Sequence, residues 1–125
     1  SVGDMGYLNE EGYLFLGDRK SDMILSRGRN IYPAEIEAAI QEFQQVRSCA
    51  VIGLPEEDGA NRIHAIVDCG EQLPDQPGQW QQNLEVFLKQ KIAPYKMPTC
   101  YEFVNDILRN DAGKVRRNAL RAARL

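Results

Sequence analysis

The chain has 125 residues, the size of one ordinary domain, with 43% apolar and 26% charged residues; this globular composition excludes a disordered chain and leaves no apolar run long enough to span a bilayer. The net charge of −3 hides an asymmetry. Residues 106–125 carry Arg109, Lys114, Arg116, Arg117, Arg121 and Arg124 against Asp106 and Asp111, a net +4, so this end is expected to face an anion. The segment is short and lacks interleaved aromatics, so a small polyphosphate is expected there, not nucleic acid. Residues 1–4 have neither a basic nor an apolar leader region. Cys49, Cys69 and Cys100 form an odd set without C-x-x-C spacing, and the expectation is reduced core thiols in a cytoplasmic protein rather than a metal or redox role.

Tyr7-Leu8 and Tyr13-Leu14-Phe15-Leu16 flank Asn9-Glu10-Glu11-Gly12, the pattern of a β-hairpin. The polar run Gly17-Asp18-Arg19-Lys20-Ser21-Asp22 separates it from the rest and reads as a linker or hinge. Met23-Ile24-Leu25 predicts a short strand leading into Ser26-Arg27-Gly28-Arg29-Asn30, a basic glycine-containing loop. A helix should follow directly: Pro33 suits a first helical position, Glu35 and Glu37 complement the N-terminal dipole, and Ile36, Ala39, Ile40 and Phe43 lie on one face. Residues 49–53 and 63–69 predict neighbouring antiparallel strands around an Asp58-Gly59 turn. Trp80, Leu84, Phe87, Leu88 and Lys91 form a helical stripe ended by Pro94, and residues 101–104 give another strand. Residues 115–125, basic and alanine-rich, predict a last helix with Val115, Leu120 and Ala123 inward. The order β-α-β-β-α-β-α, preceded by the hairpin, implies an α+β fold, a small sheet packed with helices. His64, the only histidine, is expected at the surface with no catalytic part.

Gly113-Lys114 presents a lysine just before a basic helix. It is not a Walker A loop, because Leu108 and Val115 stand where that motif needs Gly and Ser or Thr. By itself the pair reads as a solvated helix-start lysine or a functional one. The motifs around it narrow the choice. Gly3-Asp4-Met5-Gly6-Tyr7-Leu8, Gly12-Tyr13, Asp18-Arg19-Lys20-Ser21-Asp22-Met23-Ile24, Asn30-Ile31-Tyr32-Pro33-Ala34-Glu35-Ile36-Glu37, Val51-Ile52-Gly53-Leu54-Pro55, Tyr95-Lys96-Met97-Pro98 and Gly113-Lys114 occur in order along the chain. In this arrangement the chain resembles the carboxy-terminal domain of the adenylate-forming enzymes: acyl-CoA synthetases, peptide synthetase adenylation domains and firefly luciferase.

The resemblance implies a two-step reaction, in which a carboxylic acid substrate and ATP with Mg2+ give an acyl-adenylate and pyrophosphate, and coenzyme A then displaces AMP. Lys114 matches the catalytic lysine, whose ammonium offsets the repulsion between an anionic nucleophile and the phosphate. Asp4 matches the aspartate that holds the ribose hydroxyls, and Arg19 the nucleotide-contacting arginine; the plain alternatives are a turn Asp and an exposed ion pair. Ser21 falls at the hinge position, where many relatives carry aspartate or lysine, or is an ordinary turn residue. Gly28 matches the glycine beside the pantetheine path or serves a turn needing positive φ. Arg27 and Arg29 flank it as phosphate contacts for coenzyme A or as solvated loop residues. Arg116 and Arg117 add positive field or pair with carboxylates, and Leu108 stands where the family often has proline.

Residues 1–19 then end a large N-terminal domain of the same enzyme, and residues 20–125 form its C-terminal lid. The family's phosphate loop and acyl pocket, and with them most of the ATP and Mg2+ site, belong to that N-terminal domain. The chain is therefore expected to be a fragment, inactive alone, with an acid:CoA ligase as its leading function. A carrier-protein-loading adenylation domain and a non-catalytic module that kept the fold are the alternatives.

Overall fold

A computed structural model describes residues 23–110 and 113–125. The predicted hairpin over residues 7–16, the polar linker, Asp4, Arg19 and Ser21 lie outside the described residues. Two short strands, β1 (Ile24–Ser26) and β2 (Arg29–Ile31), precede helix α1 (Pro33–Gln41), strands β3 (Ser48–Pro55) and β4 (Asn61–Asp68), helix α2 (Pro77–Lys89), strand β5 (Cys100–Val104) and helix α3 (Arg117–Ala122). β3 pairs antiparallel with β4, Val51 opposite Ala65, and β4 pairs parallel with β5, His64 opposite Cys100. The result is a mixed three-stranded sheet in the order β3-β4-β5 beside the two-stranded β1-β2 ribbon.

Alternation along the strands sorts their side chains onto two faces. Cys49, Val51, Ile63, Ala65 and Val67 pack with Ile36 and Ile40 of α1 and Leu84 and Leu88 of α2. Ala50, Ile52, Leu54 and Ile66 face the other way, onto Leu108, Val115 and Leu120. β3 is therefore apolar on both sides and reads as a continuous run, not an alternating one. Phe43, Trp80 and Phe103 stack edge to face at 5.1 Å centroid separations, tying the ends of α1, α2 and β5 together.

Several elements differ from their expectation. The basic loop at residues 26–30 is a tight hairpin: Arg27 (φ 52) and Gly28 (φ 80) make a two-residue turn with both residues left-handed, and Arg29-Asn30-Ile31 returns as β2. Exposed Arg29 and Asn30 gave that strand no alternating signal. α2 stops at Lys89, before Pro94, and the residue preceding that proline, Ala93, is extended with ψ 151. Lys91 thus lies beyond the helix, paired to Glu42 at 2.9 Å. α3 is shorter than predicted: Val115 bridges Arg109 instead of starting the helix, and Ala123 is exposed. Cys49, Cys69 and Cys100 are free thiols, the first two buried. No helix among the described residues is long and apolar enough to cross a membrane.

Gly53 shows how the ribbon is seated. A Cβ there would lie 2.8 Å from Ile24 Cγ2, so glycine lets β1 press onto β3.

Candidate functional site

The lysine loop is built by short-range bonds and then tied to the sheet. Arg109 and Val115 form a β-bridge, and the Asn110 amide donates to the Lys114 carbonyl at 2.9 Å. The Gly113 amide donates to the Asn110 carbonyl at 2.8 Å, and the Lys114 amide to Asn110 Oδ1 at 3.0 Å. Gly113 has φ 78, the left-handed region, which lets the loop close with Lys114 at its exit. Arg109 Nη1 donates to the Gly113 carbonyl at 2.8 Å. Lys114 itself is exposed.

What anchors this loop is Glu37, which the helix-dipole reading missed. Its side chain is 2% exposed, and its carboxylate accepts from the Val51 amide at 2.9 Å, from Arg117 Nε at 3.0 Å and from Arg117 Nη2 at 2.7 Å; Arg109 Nη2 lies 3.9 Å away. β3 is an edge strand, and the Val51 amide belongs to its open edge. Glu37 covers that amide, and Arg121 Nε covers the Gly53 carbonyl at 2.8 Å. A single buried carboxylate on α1 thus holds Arg117, after the lysine loop, by hydrogen bonds and faces Arg109, before it, at 3.9 Å. The sequence signal was its place on the buried stripe with Pro33, Ile36 and Ile40. Leu108 adds another tie. Its amide, which a proline would lack, donates to Ser48 Oγ at 3.2 Å, and Ser48 donates to Asp68 at 2.7 Å. Burial raises the Asp68 pKa, but bonds from Arg47, Ser48 and Gly70 outweigh it and hold the carboxyl below its usual range.

The predicted coenzyme A loop is the β1–β2 turn. Arg27 is turned onto the β3–β4 loop, 2.7 Å from Glu56 and 3.7 Å from Asp58. Arg29 instead lies over the Tyr95 ring at 4.3 Å, and Gly28, Arg29, Asn30 and Tyr95 line a depression of about 270 Å3. Among the described residues, leaving out its chain neighbours, no atom lies within 4 Å of a Cβ built on Gly28, so the positive φ is the demand seen on glycine there. Arg29 with Tyr95, rather than Arg27, is the arrangement suited to an anionic ligand with a flat or apolar part. Asp4, Arg19 and Ser21 fall outside the described residues.

His64 corrects its surface assignment. Its side chain is 11% exposed and lies between two β5 side chains, Nδ1 2.9 Å from Cys100 Sγ and Nε2 2.9 Å from Glu102 Oε1. Among the described residues, no group of three or more His, Cys, Asp or Glu side chains is arranged to hold a metal ion.

These features define a class: a small α+β domain that presents one lysine on a braced loop before a basic helix. The chain belongs to the AMP-binding enzyme C-terminal domain family, whose sequence profile matches residues 35–114. It is similar to the fatty acid–[acyl-carrier-protein] ligase ScoC of Streptomyces coeruleorubidus, 39% identical over 120 residues, covering 96% of this chain and 22% of that protein. A long-chain-fatty-acid–CoA ligase of Bacillus subtilis is 36% identical over 119 residues, covering 95% of this chain and 20% of the relative. A solved Mycobacterium tuberculosis fatty acyl CoA synthetase superposes with a TM-score of 0.75 at 40% identity, covering 97% of this chain and 23% of that one. The chain thus spans about a fifth of the length of the curated relatives it matches.

Proposed function

We propose that the chain is the C-terminal lid of an AMP-forming acid:CoA ligase, in which residues 1–19 end a large N-terminal domain and residues 20–125 form the lid. Lys114 serves the adenylation step, placing an ammonium where the substrate carboxylate meets the α-phosphate of ATP. Asp4 and Arg19 hold the nucleotide, Ser21 is the hinge, and the Gly28 turn with Arg27 and Arg29 receives coenzyme A. Within this reading the Arg29–Tyr95 depression is the stronger coenzyme A contact and Arg27 the weaker one. ATP and Mg2+ are held mainly by the N-terminal domain. The enzyme is expected to work in the cytoplasm on a carboxylic acid whose pocket lies in that domain.

One observation carries the reading. Of the six basic residues in the tail, Arg109, Arg117, Arg121 and Arg124 turn to acceptors within the fold, while Lys114 is exposed on a loop fixed at both ends. A loop braced in this way presents a charge outward at a set position, the geometry that transition-state stabilisation requires. The similarity to an acyl-carrier-protein ligase supports a second reading, in which the acceptor is a carrier-protein thiol.

The test is Lys114→Ala in the full-length enzyme. Pyrophosphate release from ATP and acid should fall roughly 10²- to 10³-fold, while thioester formation from supplied acyl-adenylate is largely retained. An enzyme unaffected in both steps would make the domain a non-catalytic module. The 125-residue chain alone, given ATP, coenzyme A and a panel of carboxylic acids, should release no pyrophosphate.

A further inference from the structure

The parallel register of β4 and β5 sets His64 beside Cys100, with Glu102 two residues on along the same face. His64 Nδ1 is 2.9 Å from Cys100 Sγ, and His64 Nε2 is 2.9 Å from Glu102 Oε1. Arg124 grips the same carboxylate with two bonds of 2.7 Å, Nε to Oε1 and Nη2 to Oε2. A carboxylate so paired is ionised and only accepts, so Nε2 carries the imidazole proton. In the neutral imidazole Nδ1 is then the acceptor, and the Cys100 S–H donates to it. This is the order thiol, imidazole, carboxylate, in which histidine acts as base and the acid fixes its tautomer. The lysine loop makes no use of it.

Access separates the three thiols. Cys49 and Cys69 are buried, and burial pushes the Cys49 thiol up to about 12. Cys100 is half-buried and has the base at its side. The reaction class follows from what surrounds the sulfur: among the described residues, the other polar group in reach besides His64 is the Ile63 carbonyl at 4.0 Å, a second acceptor competing for the one thiol proton. Acyl transfer needs donors aimed at a developing oxyanion. Disulfide exchange places its charge on sulfur and needs none.

We infer that Cys100 is a site of covalent modification by small disulfides, with His64 as its base. Cys100 Sγ attacks one sulfur of R–S–S–R while its proton passes to His64 Nδ1. The new S–S bond forms as the old one breaks, and the departing thiolate takes the proton back from Nδ1. The products are the Cys100 mixed disulfide and R–SH; the disulfide is the oxidant, and an added thiol reverses the step. The new group stands beside the Arg124–Glu102 pair that fastens the end of α3.

The test exposes the full-length protein to glutathione disulfide at neutral pH, quenches with acid and measures each cysteine peptide by mass spectrometry. Folded Cys100 should become glutathionylated at least tenfold faster than the same cysteine in urea-unfolded protein, with Cys49 unmodified. His64→Gln should slow Cys100 at least tenfold, with continued protection of Cys49 reporting an intact fold. Wild-type Cys100 reacting no faster than in urea overturns the inference. So does a folded His64→Gln protein that keeps the wild-type rate. If the substitution exposes Cys49, the wild-type comparison alone decides.

Discussion

Glu37→Gln separates a braced lysine loop from one that is merely nearby. The substitution keeps the side chain's shape and removes its charge. The carboxylate accepts three bonds, from the Val51 amide and from two nitrogens of Arg117, whose side chain is 12% exposed. An amide offers one acceptor oxygen and turns an NH2 group toward a guanidinium. At least one charged bond is lost, worth about 1.5 to 3 kcal/mol, and a nearly buried guanidinium loses its counter-charge, for which broken buried pairs cost about 3 to 5 kcal/mol. Because Arg117 begins α3 and can swing outward in part, the expected net loss is about 3 kcal/mol. With a urea slope of about 2 kcal/mol per molar, the unfolding midpoint should fall by about 1.5 M. Trp80, the single tryptophan, reports the transition by fluorescence. Arg117→Met and Glu37→Leu should each cost at least as much, and the Glu37→Leu/Arg117→Met pair less than either of these two single changes, since replacing both ions by apolar groups removes the unpaired charge. On the proposed function, the loosened loop should lower adenylate formation by the full-length protein about 10²-fold, the effect of roughly 1 Å of misplacement. A midpoint shift under about 0.3 M, or a double variant whose loss equals the sum of the singles, would refute the bracing.

Two further predictions concern groups away from the loop. Arg124 beside Glu102 holds the carboxyl down to about 2, burial opposing and His64 helping. The folded value lies below the unfolded one, so this pair's stabilisation is complete above the ordinary carboxylate range and disappears as pH falls toward 2. Urea midpoints between pH 5 and 2.5 should therefore fall less steeply in Arg124→Ala than in the wild type; equal slopes would contradict the assignment. The Tyr101 hydroxyl is buried without a hydrogen-bond partner among the described residues. Tyr101→Phe should raise stability by about 1 kcal/mol, and a lowered urea midpoint would reveal a partner for the hydroxyl.

Features set by neighbours in sequence were legible; those set by distant pairing were not. The stripes Ile36-Ala39-Ile40 and Leu84-Leu88 predicted α1 and α2, because helix periodicity is local and both helices bury that stripe. The strands over residues 49–53 and 63–69 were readable for the same reason. β2 was missed because its turn places Arg27, not a second glycine or asparagine, in the left-handed region. His64 was misplaced because Cys100 and Glu102 lie 36 and 38 residues away and meet it only through the parallel register. Glu37 was the avoidable miss: a carboxylate on a buried stripe needs a cationic partner, and the tail held six.

The charge asymmetry also changes meaning once the partners are known. A net +4 over twenty residues suggested an end that faces a small polyphosphate. In the fold, Arg117 neutralises Glu37, Arg124 neutralises Glu102, Arg121 covers a strand-edge carbonyl and Arg109 closes the lysine loop. Most of the tail's charge is thus consumed in attaching the tail to the sheet, while Lys114 and Arg116 remain exposed. This is a different device from a basic patch. A patch attracts any polyanion through a diffuse field that salt screens, whereas on the proposed function one ammonium on a fixed loop would act at short range on one phosphate. On the proposed function, neutralising Arg121 should accordingly loosen α3 from the edge of β3 and leave adenylate formation nearly unchanged, whereas neutralising Lys114 should do the reverse.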